Sequence, residues 1–235
     1  MLKNNFMSNF KKIFNLLKLI RSILFREKGI VSKRYISRFF NDNPVIVDAG
    51  AHIGTDTCEM AKLWPQAMIY AFEPLPELFS QLKKNTSSFP NVKCFEMALG
   101  DKTGTCNIYQ SSGESDGSSS ILEPKEHLKN HPNVIFEQRI EVEVITLNDW
   151  IKKYNVDKVD FLWLDLQGFE LNVLKESKEI ISKVSVIYTE VSIIENYSKS
   201  ALYPELRDWL KEKGFKVKKK KIAWKDGGNV LFVRI

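Results

Sequence analysis

The segment Val45-Ile46-Val47-Asp48-Ala49-Gly50-Ala51-His52-Ile53-Gly54 constrains this chain more than any other. A β-branched apolar run belongs inside a sheet, yet this one ends on a carboxylate and passes straight into glycines. Glycine there lets the backbone turn with positive φ and approach another group closely. Downstream, Met68–Phe72 is a second such run, ended by Glu73 and Pro74. Two parallel strands that deliver acids to one sheet edge form the crevice in which an open α/β sheet takes a nucleoside, the second acid accepting from ribose hydroxyls.

The chain keeps to that architecture. Residues 31–40 read as a short helix ended by Asn41-Asp42-Asn43-Pro44. Strands are expected over 45–47, 68–72, 92–97, 161–164 and 184–189, the last ending on Glu190. Helices are expected over 55–64, 76–85, from about Glu170, and over 204–213, where Gly214 stops the last. Strands alternating with helices predict a parallel sheet covered on both faces. At the end, 215–224 and 230–235 read as antiparallel strands joined across Lys225-Asp226-Gly227-Gly228-Asn229. The lysines at 218–221 read as a charged edge strand that blocks aggregation. Between the third and fourth core strands, 106–109 and 139–146 are further expected strands. The serine- and glycine-rich stretch 111–120 reads as a flexible surface loop or, alternatively, a loop that covers substrate.

Length and charge limit the rest. The 235 residues suffice for one α/β domain, expected over 29–235, preceded by a separate segment 1–28. That segment holds seven lysines and arginines against Glu27, while the remainder is near neutral, which argues against a nucleic-acid partner for the body. Phe6, Phe10, Ile13, Leu17, Ile20 and Leu24 recur at steps of four and three, an amphipathic helix pattern. Lys11, Lys12, Lys18 and Arg21 interrupt it too often for a membrane span, and no small-residue cleavage site follows it. The helix is expected either to pack on the domain or to lie in an anionic headgroup layer. Cys58, Cys94 and Cys106 show no paired or metal-like spacing, so a reduced, cytoplasmic protein is expected, peripheral at the inner membrane face if the helix binds lipid.

Four acids, Asp48, Glu73, Asp165 and Glu190, fall at expected parallel strand ends, and four on one rim argue for a site. Asp165 directly follows the buried run Phe161–Leu164, where a charge is paired or functional. Asp101 either meets an adenine edge or starts a turn. His52 lies in the glycine loop, and no metal site is expected at His127 and His131. There is no nucleophile elbow and no Walker lysine motif. The spacing Asp48-x-Gly50-x-x-x-Gly54 departs from Gly-x-Gly-x-x-Gly, which counts against a pyrophosphate and for a cofactor without phosphates, such as S-adenosylmethionine.

In order along 45–191, the segments 47–54, 71–76, 98–101, 118–122, 144–147 and 159–170 resemble those of the FkbM family of S-adenosylmethionine-dependent methyltransferases. The resemblance implies the α/β class I methyltransferase (Rossmann-like) fold, a mostly parallel seven-stranded sheet with the C-terminal antiparallel hairpin. It implies an O-methyltransferase acting on a hydroxyl of a sugar, glycolipid or related natural product. Cofactor contacts are then expected at Asp48, Gly50, Ala51, His52, Ile53, Gly54, Glu73, Pro74, Ala98, Asp101, Asp165 and Gln167. Asp165 is expected as general base, with Glu190 the second candidate. The family often has Asn at His52 and Glu at Gln167. The alternatives are an NAD(P)-dependent oxidoreductase and a non-catalytic membrane-associated protein on the same fold.

Overall fold

The structure, a computed structural model, describes residues 30–235. The expected helix and membrane contact of residues 1–28 lie outside the described residues. The short helix α1 (Lys33–Ile36) runs into a 3-10 turn over Ser37–Phe39. Strands β1 (Val45–Ala49), β2 (Met68–Phe72) and β3 (Val92–Phe95) alternate with helices α2 (Thr55–Leu63) and α3 (Pro76–Thr86). A second group follows: β4 (Ala98–Leu99), β5 (Gly104–Gly113), α4 (His127–Asn130), β6 (Val134–Ile145) and α5 (Leu147–Tyr154). The main sheet resumes with β7 (Phe161–Leu164), α6 (Glu170–Glu176), α7 (Lys178–Ile181), β8 (Val186–Ser192), α8 (Tyr203–Glu212), β9 (Phe215–Ile222) and β10 (Gly227–Arg234).

The seven-stranded sheet has the order β3-β2-β1-β7-β8-β10-β9, parallel as far as β8 and antiparallel at β10 and β9. This is the expected α/β class I architecture. Alternation along the central strands splits the core in two. Val47, Leu162, Leu164, Ile187 and Phe232 face α5, α6 and α8, while Ile46, Phe161, Trp163, Tyr188 and Leu231 face α1 and α2.

The order reverses at β1, with β2 on one side and β7 on the other. Pairing there continues into the loops: Gly50 and Ala51 donate to the Phe72 carbonyl, Glu73 to Phe95, and Asp165 to Ala49. The loops after β1, β2 and β7 are thereby held side by side, at the crevice where such sheets bind ligands.

Two expectations needed correction. Glu190 does not end its strand; it lies inside β8, opposite Asn229 of β10. The middle of the chain forms a second sheet, order β4-β6-β5, whose long strands the sequence shows only in fragments. The first part of β6 does not alternate: Val134, Ile135 and Phe136 run together and Glu137, Gln138 and Arg139 follow. That sheet rests Ile108, Val142 and Val144 on Leu75 and Leu78 at the start of α3.

Candidate active site

Asp48 is 1 % exposed and accepts a 2.5 Å hydrogen bond from Thr57 Oγ1 in the first turn of α2. Burial pushes its carboxyl up to about 7, against the lowering effect of Thr57. Gly50 follows with φ of 83°, and a Cβ there would lie 1.9 Å from the Asp165 carbonyl oxygen. The glycine is required by the meeting of the β1 and β7 loops, before any ligand is considered. His52, with φ of 52°, turns its N–H to Glu73 Oε2 at 2.9 Å. The other oxygen, Oε1, accepts the Leu75 N–H at 2.9 Å. Glu73 is buried, and burial raises its carboxyl to about 7 although both backbone bonds act to lower it. A carboxylate has about four acceptor positions, so each Glu73 oxygen keeps one.

The opposite wall is a side-chain network. Asp165 is exposed at its rim. The next turn carries positive φ at Gln167 (50°) and Gly168 (94°) and is tied down by buried Glu170, which accepts from Leu166 N–H at 2.8 Å and Gly168 N–H at 3.3 Å. Burial raises Glu170 to about 7. The Gln167 amide donates through Nε2 to Asp165 Oδ1 at 2.8 Å and to Glu190 Oε2 at 2.6 Å. Its side-chain oxygen stands 2.9 Å from Tyr197 Oη, whose one proton it shares with the Ser118 carbonyl at 2.7 Å. Burial, then the neighbouring Asp165 carboxyl, holds Glu190 well above the ordinary glutamate value, which favours its protonated form.

Between the walls lies a cleft of about 330 Å³. Of the residues expected from sequence, Asp48, Gly50, Ala51, His52, Ile53, Glu73, Pro74, Ala98, Asp165 and Gln167 line it. Gly54, Asp101 and Glu190 do not. Gly54 is the left-handed cap of α2, packed on Leu82, and its role there is local. Asp101 is exposed: Gly100 N–H bonds the Ile145 carbonyl, which turns the chain away to the small sheet. Leu75, Leu78, Met97, Leu99 and Ile108 supply an apolar wall in its place.

The stretch read as a flexible loop or, alternatively, a substrate cover contributes to the cleft lining. Its start lies in β5, and Asp116, Gly117, Ser119 and Ser120 line the cleft. Asp116 Oδ1 stands 3.0 Å from His52 Nε2, and Ser120 Oγ donates to the Gln167 carbonyl at 2.9 Å. Sequence reasoning missed Thr57, Glu170 and Tyr197. An acid in the first helical turn is a signal that could have found Glu170. Tyr197 reaches Gln167 across 30 positions, which no local pattern encodes.

Fold and site together define a class I methyltransferase-type protein: an open sheet with a doubly acid-lined crevice at the strand order's reversal and an antiparallel closing hairpin. The family model for the methyltransferase FkbM domain matches residues 48–217. The chain is similar to the 2-O-methyltransferase NoeI of Sinorhizobium fredii, 33 % identical over 71 % of each chain. It is also similar to the hexuronic acid methyltransferase AglP of Haloferax volcanii, 23 % identical over 64 % of this chain and 56 % of that one. Among solved structures, methyltransferase FkbM from Methylobacillus flagellatus aligns with a TM-score of 0.52 at 16 % identity, over 83 % of this chain but only 44 % of that protein. The chain belongs to the FkbM methyltransferase family and is an S-adenosylmethionine-dependent enzyme. Neither the oxidoreductase nor the non-catalytic alternative finds support in these likenesses.

Proposed function

We propose that the enzyme transfers a methyl group to a hydroxyl of a saccharide or saccharide-bearing lipid, with Asp165 as general base. The observation that carries the reading is the placement of Asp165: exposed at the cleft rim, and linked through Gln167 to the half-buried Glu190. Of the two carboxyls sharing that amide, Asp165 is the exposed one that lines the cleft and that a substrate can reach, while burial, then Asp165 itself, raises Glu190 above the ordinary glutamate value. NoeI and AglP, by their names, methylate an oxygen and a hexuronic acid, which supports an oxygen acceptor of sugar type here.

The residues present fit the cofactor. Glu73 would hold the ribose through its two remaining acceptor positions, and the Leu78, Met97 and Ile108 wall would cover the adenine. Gly50, Ala51 and their neighbours would flank the methionine portion, with His52 beside them. S-adenosylmethionine, when bound, supplies an electrophilic methyl group. The chain's part is alignment and proton removal. Asp165 takes the hydroxyl proton as the acceptor oxygen gains nucleophilic character, a contribution of about 10²–10⁴-fold.

The test is methyl transfer from labelled donor to neutral and uronic-acid saccharides. The expected product is an alkali-stable ether; an alkali-labile product would mean carboxyl esterification and overturn the hydroxyl assignment. Asp165→Asn is expected to lower kcat about 100-fold or more while donor affinity stays within a few-fold. Full turnover in that variant removes Asp165 as the base.

A further inference from the structure

Edge strand β9 carries Lys216, Lys218, Lys219, Lys220 and Lys221. In a regular strand consecutive side chains point to opposite faces. Here the register with β10 shifts, so that Val217 pairs with Phe232 and Lys219 with Leu231, and Lys218 is the extra residue of a bulge. Lys218 and Lys219 both turn toward α1. Their ammonium groups stand 5.4 Å from the Phe39 ring and 5.9 Å from the Tyr35 ring. Lys220 turns the other way, over Tyr203 of α8 at 5.5 Å.

Lys216 and Lys221 pair with Val233 and Asn229, each two residues from Leu231, so alternation brings them to the α1 side as well. The helix and its 3-10 extension add exposed Arg34 and Arg38, the latter 5.5 Å over Tyr35. None of these six cations has an ion-pair partner among the described residues, whereas neighbouring Lys33 is held by Asp56 and Glu59. Lysines on either face would protect an edge strand from aggregation. A bulge blunts an edge as well, but edge protection does not require the cations to share one face.

We propose that this face docks the enzyme on an anionic membrane surface. The six cations there carry no carboxylate partner among the described residues. The aromatic rings within it, Tyr35 and Phe39, are partly buried under cations and so are not open platforms on which bases stack. In sequence, α1 is entered from residues 1–28, which carry a net charge of +6 and an amphipathic pattern. A polybasic surface in a chain that also carries an amphipathic basic segment offers the two signals that stable interfacial attachment requires.

The test is cosedimentation of the full chain with phosphatidylcholine vesicles, with and without phosphatidylglycerol. Binding is expected only with the anionic lipid and is expected to weaken with salt. Lys218→Glu combined with Lys219→Glu should lower the partition coefficient at least about tenfold, since each basic residue near such a surface contributes about 1 kcal/mol. Arg34→Glu combined with Arg38→Glu, on a separate element, should do the same. Lys220→Glu, on the opposite face, should change it by less than about threefold. S-adenosylmethionine affinity should be unchanged in all three, which shows that they are folded. Undiminished vesicle binding by both double variants would overturn the proposal, as would an equal loss from Lys220→Glu. So would wild-type protein that ignores anionic vesicles, whether or not it binds RNA.

Discussion

On the cleft wall built by Gly50 and Glu73, each buried carboxyl is held by donors of the nearby chain: Asp48 by Thr57, Glu73 by His52 and Leu75. On the wall built by Asp165 and Glu190, two carboxyls share one amide, and that amide is oriented by Tyr197. The first arrangement fixes the shape of a loop and leaves Glu73, which lines the cleft, with spare acceptor positions. The second leaves one carboxyl, Asp165, exposed and the other, Glu190, half-buried, so that one amide joins two acids in different surroundings. Glu170 sits on the second wall but behaves like Glu73, accepting backbone N–H groups of its own turn. Position on the rim therefore does not decide what an acid does; its donors do.

The severest way to break the contrast is at the seam between the walls. Gly50→Ala places a Cβ 1.9 Å from the Asp165 carbonyl oxygen at a φ of 83°. It should cost about 3 kcal/mol or more and abolish donor binding, measured by chemical unfolding and calorimetry. Next is Glu73→Ala, which leaves two backbone N–H groups without their acceptor. Stability should fall by about 2 kcal/mol and donor affinity at least about tenfold. A fall in stability with unchanged affinity would reduce Glu73 to a purely structural role.

Asp48→Asn sharpens the contrast through pH. The native carboxyl titrates near 7 against an ordinary 3.8, so the folded state binds a proton that the unfolded state has released. Stability is then lost as pH rises from about 4 to 7, with Glu73 and Glu170 acting in the same direction. The asparagine variant keeps an acceptor for Thr57 and carries no charge. Its melting temperature should exceed the wild type's at pH 8 by about 3 °C and match it near pH 4, as read by scanning calorimetry. The smallest effect is expected from Tyr197→Phe, which removes the hydroxyl shared by the Gln167 amide and the Ser118 carbonyl. A few-fold loss in kcat with a shifted pH profile and unchanged donor affinity, about 1 kcal/mol in all, would mark Tyr197 as a positioning residue.

Much of the scaffold was legible because its signals are local. Glycines and prolines punctuate the chain, β-branched runs mark buried strands, and Pro76 opens its helix where expected. The first wall of the site was legible for the same reason, since Asp48, Gly50 and Glu73 lie on adjacent strand–loop junctions close in sequence. That Asp101 stands outside the cleft lining was not legible, because Gly100 before it bonds Ile145, far along the chain.

By itself the sequence determined the α/β class, the order of the core strands' acids and the family, since all three follow from periodicity and short motifs. Only the tertiary structure decided which acids face the cleft, that 111–120 helps to line it, and that the β9 lysines gather on one face. Those outcomes depend on pairing register, burial and contacts between distant segments, and a linear pattern does not carry them.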